Sequence, residues 1–272
     1  MQYDPVKRRL GVVFNRTPFL RKVFYKLLDL LLLRCWHIQR ELRAWVSQRQ
    51  TSGKPVEAIY DAGAGFGQYS YWLSGLLPKA RITAIDVKEE QVADCNAFFQ
   101  RIGRPQVHFQ VGDVTKFQQP NTFDLVVCVD VMEHILEDEA ALRCYSTSLK
   151  EGGMLIISTP SDQGGSDVHE EGEGSFIEEH VRDGYNIDDI RAKCLRNGFS
   201  AVEARYSYGA PGRISWKLSM KWPLLMLNTS KLFFLILPAY YLITYPVAYV
   251  LNWLDVSMKH ATGTGLIVRA WK

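Results

Sequence analysis

Between Val56 and Tyr69 the sequence reads VEAIYDAGAGFGQY, and few folds can accommodate it. VEAIY is a short apolar strand. Asp61 ends it, glycines follow at Gly63, Gly65 and Gly67, and the helix-compatible run QYSYWLSGLL comes next. A strand, a glycine turn and a helix start in this order form a nucleotide-binding turn, because only glycine lets a ligand come so close to the backbone. Such a turn belongs to a parallel α/β sheet that binds ligands beyond its strand ends. A dinucleotide fingerprint would need its third glycine at position 68, where Gln68 stands. The spacing therefore disfavours a dehydrogenase.

The pattern Asp-x-Gly-x-Gly-x-Gly resembles motif I of the class I S-adenosylmethionine-dependent methyltransferases. The resemblance implies that Asp61 and the loop Gly63, Ala64, Gly65 and Gly67 hold the methionine part of S-adenosyl-L-methionine. A second strand, RITAID, ends at Asp86, 19 residues beyond Gly67. A carboxylate there has lone pairs for both ribose hydroxyls, and it equally suits the cap of the following helix, KEEQVADCNAFFQRIG. QVHFQVGDVTKF supplies a third strand. Its Asp113-Val114 pair resembles the family's adenine site, where the acid accepts from the exocyclic amine and the next amide meets the ring.

FDLVVCVD is a nearly continuous apolar run, as expected of a central strand buried on both faces. It leads into Asp130, Val131, Met132, Glu133 and His134, whose position at a strand end directs them to the crevice. Asp130 is assigned to the cofactor side. The segment resembles the fourth-strand motif of small-molecule enzymes such as the quinone O-methyltransferases, some of which use acids and the His to bind a divalent ion. Asp130, Glu133 and His134 are thus metal candidates, against the plainer reading of His134 as a crevice-lining residue or base. The Asn/Asp-Pro-Pro-Tyr/Phe run typical of enzymes that methylate base amines or glutamine is absent here. His180 opens a His-x-Arg stretch similar to one that many family members carry, which makes His180 a second candidate base and puts Arg182 towards the substrate.

A helix from about Asp138 to Lys150 leads through a Lys-x-Gly-Gly turn into a fifth strand, MLIISTP. Residues 161–180 form a glycine-rich acidic loop suited to a lid. Asn186 caps a helix that ends at Asn197-Gly198, FSAVEARYSYG gives strand six, and GTGLIVRAWK gives strand seven. In this family the seventh strand slots antiparallel between the fifth and sixth.

Charge is sorted along the chain. Residues 1–54 carry 12 Lys/Arg against 3 Asp/Glu, residues 55–204 carry 12 against 25, and residues 205–272 carry 8 against 1. Basic ends around an acidic middle suit an anionic surface, nucleic acid or membrane. Residues 1–54 are expected to be an arm, helical from Pro18 to about Gln50 and leucine-rich at its centre. Between strands six and seven, Leu232 to Leu254 is an uncharged run of 23 residues. It is long enough to span a bilayer, but its flanks must pair in one sheet, and Pro238 and Pro246 are expected to break it into short helices. It therefore either docks on a membrane or caps the active site. Five widely spaced cysteines, with no Cys-x-x-Cys pair, fit a reduced interior compartment without zinc. No cleavable leader is apparent at the N-terminus.

The expected architecture is α/β: a Rossmann-like sheet of seven strands, mostly parallel with an antiparallel last strand. It carries an N-terminal helical arm (1–54) and, within a methyltransferase domain (55–272), an apolar helical insertion at about 209–262. The resemblance spans about residues 55–208 and the last ten. It implies methyl transfer from S-adenosyl-L-methionine to a small, apolar or lipid-like acceptor. The place of work is the cytoplasmic side of an anionic membrane, with the protein peripheral or monotopic and no nucleic-acid partner. The alternatives are an inactive membrane adaptor with the same fold and a methyltransferase acting on protein or nucleic acid.

Overall fold

The computed structural model describes residues 17–164, 181–230 and 232–272. Seven strands form one sheet in the order β3-β2-β1-β4-β5-β7-β6. They are β1 (Ala58–Ala62), β2 (Arg81–Asp86), β3 (Val107–Val111), β4 (Phe123–Val129), β5 (Leu149–Pro160), β6 (Ala201–Ser207) and β7 (Gly265–Trp271). β1 to β5 pair in parallel, while β7 runs antiparallel to both β5 and β6, as the motif order predicts. The order reverses between β1 and β4, and it is there that parallel sheets open a crevice beyond their strand ends.

The central strands alternate between two apolar layers. Ile59, Leu125 and Val127 face one core, which they share with α3 (Gln68–Leu76) and α4 (Glu89–Arg101). Tyr60, Val126 and Cys128 face the other, closed by α5 (Asp138–Ser148) and α6 (Ile187–Arg196). Burial on both faces explains the unbroken apolar run of β4. The Asn186 side chain accepts from the amides of Asp188 and Asp189 and so starts α6, as its sequence suggests.

The N-terminal region is two helices, not one. α1 (Pro18–Leu31) and α2 (Leu33–Thr51) meet at Leu32, whose backbone is extended (φ −91°, ψ 109°). The bend buries Leu32 and Leu33 and lets the two helices follow different surfaces. α2 lies on the sheet, with Ile38, Leu42, Trp45 and Val46 in the same core as the strands.

The segment between β6 and β7 is a helical hairpin. Its first limb runs through α7 (Ala210–Trp216), a π-turn at Lys217–Lys221 and α8 (Trp222–Thr229). The second limb is α9 (Phe233–Ser257), and here the expectation that Pro238 and Pro246 break the chain is overturned. Both prolines lie inside one 25-residue helix. The carbonyls they leave free are those of Phe234 and Leu242, residues on the exposed side of the helix. The tyrosines between them tie the limbs together. Tyr240 and Tyr241 hydroxyls donate to the carbonyls of Leu218 and Ser219 in the π-turn, at 2.7 and 2.8 Å. The freed carbonyls lie on the outward side and the tyrosine bonds hold this limb against its partner, so the helix continues through both prolines.

Asp255 fixes the root of the hairpin and is fully buried. It accepts from the amides of Tyr208 (3.2 Å) and Gly212 (2.9 Å) and binds His37 of α2 (2.8 Å). Arg205 donates to the other His37 nitrogen at 3.0 Å and pairs with Glu41 at 2.9 Å. One network thus joins α2, the sheet and both limbs.

Candidate functional site: a cofactor crevice at the ends of β1, β2 and β4

The glycine turn lies where the sequence puts it, and its shape needs glycine. Gly63, Gly65 and Gly67 have φ of 71°, 51° and 77°, the left-handed region that side chains disfavour. The amides of Gly63 and Ala64 both donate to the Ile85 carbonyl, at 2.9 and 3.0 Å, which hangs the loop on the end of β2. A Cβ on Gly63 would strike the Val131 side chain, and one on Gly67 would sit 2.8 Å from Phe109. A Cβ on Gly65 would meet nothing within 4 Å. The loop therefore presents bare backbone to open space at Gly65, as a cradle for a close-fitting ligand should.

Two carboxylates frame this cradle. Asp86 at the end of β2 accepts the Gly65 amide on Oδ2 at 2.8 Å and the Lys88 amide on Oδ1 at 2.9 Å. It orders the start of α4, one of the two roles open to it from sequence, and each oxygen keeps a lone pair for a further donor. Asp61 is buried and accepts from the Ser70 hydroxyl at 2.6 Å. Burial pushes its pKa up to about 6, against the opposing pull of the Ser70 bonds. These features fit the methionine and ribose ends of S-adenosylmethionine.

Asp113, assigned to the adenine end, is half exposed and folded back on its own turn. Its Oδ1 accepts from the Thr115 amide (2.9 Å) and hydroxyl (2.7 Å), and the hydroxyl bond holds its pKa below the usual range. Val114 is buried beside Ile85 and Ala62 in the second core.

At the end of β4 the chain takes a strained step, with Asp130 at φ 53°. Its carboxylate binds Arg34 of α2 at 2.6 Å, and the Arg34 amide donates to the Tyr208 hydroxyl at 3.0 Å. Glu133 follows in a 3₁₀ turn (Met132–His134) and is buried, accepting from the Thr159 hydroxyl at 3.1 Å. Desolvation, reinforced by the Asp130 charge, raises its pKa well above the carboxylate range. His134 ends the same turn and is partly buried. Among the described residues no three His, Cys, Asp or Glu side chains converge as a metal site, so Asp130, Glu133 and His134 do not form one there. His180 lies outside the described residues. Arg182 is committed to Asp138 and to the carbonyls of Ile135 and Leu136, a structural brace for this loop.

Sequence reasoning missed the contribution of the N-terminal helices. Arg21 and Tyr25 of α1 both donate to the Phe66 carbonyl in the middle of the glycine loop. Asp29 accepts from Gln68 at 2.9 Å, and Cys35 contacts Tyr69 at 3.4 Å. None of these pairings has a local sequence signal, because each partner is more than thirty residues away.

Residues 59–153 match a family model described as a methyltransferase domain. With the strand order and the glycine turn, that match identifies the segment. Residues 59–153 carry a methyltransferase domain of the class I type. A ubiquinone biosynthesis O-methyltransferase of Xanthomonas euvesicatoria pv. vesicatoria is 34% identical over 103 residues, 37% of this chain and 42% of that relative. An uncharacterized protein of Synechococcus sp. is 30% identical over 159 residues, 57% of this chain and 37% of its own length. The chain therefore spans less than half the length of either curated relative. A Haemonchus contortus phosphoethanolamine N-methyltransferase 2, solved with phosphomonomethylethanolamine and S-adenosylhomocysteine, shares the methyltransferase fold. Its TM-score is 0.57 at 18% identity, over 79% of this chain and 48% of that one.

Proposed function

We propose that the protein transfers a methyl group from S-adenosylmethionine to a small, apolar, lipid-like acceptor while docked on the cytoplasmic face of a membrane. The observation that carries the cofactor is the open cradle at Gly65, its amide fixed by Asp86. When bound, S-adenosylmethionine supplies an electrophilic sulfonium methyl group. The chain's own part is alignment and exclusion of water, which can supply much of the rate of an in-line displacement. Asp86 orients the ribose through hydrogen bonds, and Asp61 presents negative charge to the amino-acid end. Where the acceptor is a hydroxyl, the candidate bases are Glu133, whose buried carboxyl must first ionise, and His134 next along the turn.

The docking surface is the hairpin. Leu235, Leu242 and Ile243 are 81%, 79% and 75% exposed near its outer end, and Trp222, Tyr249 and Trp253 add exposed interface-favouring rings. From residue 205 to 254 the chain holds no acid, while Arg213 and Lys217 are exposed near the root. Both ends of the hairpin join strands of one sheet, so it enters and leaves the bilayer surface on the same side. A hairpin folded inward as a cap would bury these side chains; their exposure favours docking. The deciding experiment measures S-adenosylhomocysteine binding by calorimetry and then methylation of quinol-like and soluble phenolic acceptors with vesicles present. Binding of NAD without S-adenosylhomocysteine would remove the reading. Glu133→Gln should lower kcat more than His134→Ala does.

A further inference from the structure

Helix α1 packs Phe24 and Tyr25 inward yet leaves other apolar side chains uncovered. Phe19, Leu27 and Leu30 point to solvent at 72%, 41% and 42% exposure, whereas Arg21 is 2% exposed and faces the protein. Positions 19, 22, 26, 27 and 30 share one helical face, so Lys22 and Lys26 stand among these apolar side chains. A helix packed only for water would show the opposite pattern. Apolar residues interleaved with lysines, whose stems lie flat while the ammonium reaches outward, are the composition of a helix in a membrane interface.

The inner face of α1 has a different task. Arg21 donates to the Phe66 carbonyl at 2.9 Å, to the Asp94 carboxylate at 2.7 Å and to the Cys95 sulfur at 2.9 Å, while Tyr25 donates to the same Phe66 carbonyl. Phe66 lies between Gly65 and Gly67. The cofactor loop is thus braced by the helix whose other face is apolar and uncovered. The outer end of α1 is also continuous with the hairpin. The Ser219 hydroxyl donates to the Leu31 carbonyl at 3.3 Å, and the Tyr245 hydroxyl donates to the Leu30 carbonyl at 3.5 Å.

We infer that the outward face of α1 and the apolar hairpin form one surface for an anionic lipid bilayer, and that seating α1 on the bilayer tightens cofactor binding. This rests on the function proposed above. In water α1 is held by its inner face alone, through Arg21, Tyr25 and the rings around them, and its outward face adds nothing; each departure removes two donors from the Phe66 carbonyl and loosens the loop. A bilayer holds the helix in place, raising the fraction of molecules whose loop is formed. Apparent affinity rises with that fraction. By linkage, a bound cofactor product must strengthen vesicle binding by the same factor.

The test uses the full chain, S-adenosylhomocysteine and vesicles of equal parts phosphatidylcholine and phosphatidylglycerol. Binding of S-adenosylhomocysteine is measured with and without vesicles, and vesicle partitioning with and without saturating S-adenosylhomocysteine. Both ratios should agree at roughly fivefold or more. The double variant Leu27→Ser/Leu30→Ser, changed only on the outward face, should bind S-adenosylhomocysteine normally in solution and lose most of the enhancement. An affinity unchanged or weakened on vesicles that carry the protein would overturn the coupling and leave the methyltransferase reading intact. Absence of S-adenosylhomocysteine binding in both conditions would instead remove that reading and the coupling with it. Protein that binds S-adenosylhomocysteine yet never partitions would overturn the membrane surface itself.

Discussion

Asp61, proposed above to face the amino-acid end of the cofactor, is a side chain whose ionised form is unfavourable for folding. Burial raises its pKa to about 6, so the fold prefers the neutral acid. A group whose folded pKa lies above its unfolded value gives stability that is present below the unfolded pKa and lost as pH rises through the folded one. Above about pH 6 the ionised Asp61 therefore lowers stability, by about 3 kcal/mol at alkaline pH. Asp61→Asn is expected to raise the urea midpoint at pH 8 while weakening S-adenosylhomocysteine binding, and in the wild type that binding should fall below about pH 6 as the carboxylate is lost. A lower midpoint for Asp61→Asn at pH 8 would mean that its Ser70 bond outweighs the buried charge. Asp86→Ala tests the opposite wall. Losing its hydrogen bonds should weaken S-adenosylhomocysteine by about 1–3 kcal/mol in calorimetry. Gly63→Ala separates strain from collision. Left-handed backbone costs an alanine about 1–2 kcal/mol, and contact with Val131 adds to that. Val131→Ala in the same chain should recover the collision part alone, as a double-mutant cycle in urea unfolding would measure.

At the scale of elements, the buried pair His37–Asp255 holds the hairpin root to α2. Arg205 donates to Nδ1, so Nε2 carries the proton given to Asp255, and the imidazole is complete in its neutral form. Burial lowers the His37 pKa despite the Asp255 bond. With the folded pKa below the unfolded value near 6.5, this histidine stabilises the fold above about pH 6.5 and loses that contribution as pH falls. Urea unfolding between pH 7.5 and 5.5 should show a steeper loss for the wild type than for His37→Gln; equal slopes would assign the acid sensitivity elsewhere. None of this network was legible in the sequence, because His37 and Asp255 are 218 residues apart. The sheet was legible, since apolar runs, strand-end acids and glycine turns are local signals. The glycine loop and Asp86 were legible for the same reason. Arg34 on Asp130, and Arg21 beneath the loop, were not: a cation in a helical stripe looks solvated until its partner is known. The two prolines misled because local propensity says nothing of the tyrosine bonds that hold α9 to the other limb.

Across the whole molecule, the charge sorting seen along the chain becomes a direction. Lys22 and Lys26 on α1 and Arg213 and Lys217 at the hairpin root are all exposed, and α1 abuts the hairpin at Leu31. The acids are concentrated in residues 55–204, the segment that builds most of the sheet. An anionic surface would therefore attract the α1–hairpin side and repel the remainder, turning the apolar limbs towards the lipid before contact. Two forces with different salt responses then share the binding. Attraction of cations to anionic head groups is worth about 1 kcal/mol each and weakens with salt, whereas burial of apolar side chains does not. Flotation with phosphatidylglycerol vesicles is accordingly expected at low salt, reduced but not abolished at high salt. Arg213→Glu/Lys217→Glu should weaken low-salt binding by at least about 2 kcal/mol and flatten its salt dependence. Leu235→Ser/Leu242→Ser/Ile243→Ser should leave a residual attachment that high salt removes. If the hairpin only docks, a cysteine introduced at Ser230 should react with a lipid-phase maleimide and not with a soluble one on the far side of sealed vesicles. Labelling from the far side would show a crossing, and protein that never floats at low salt would end the membrane reading.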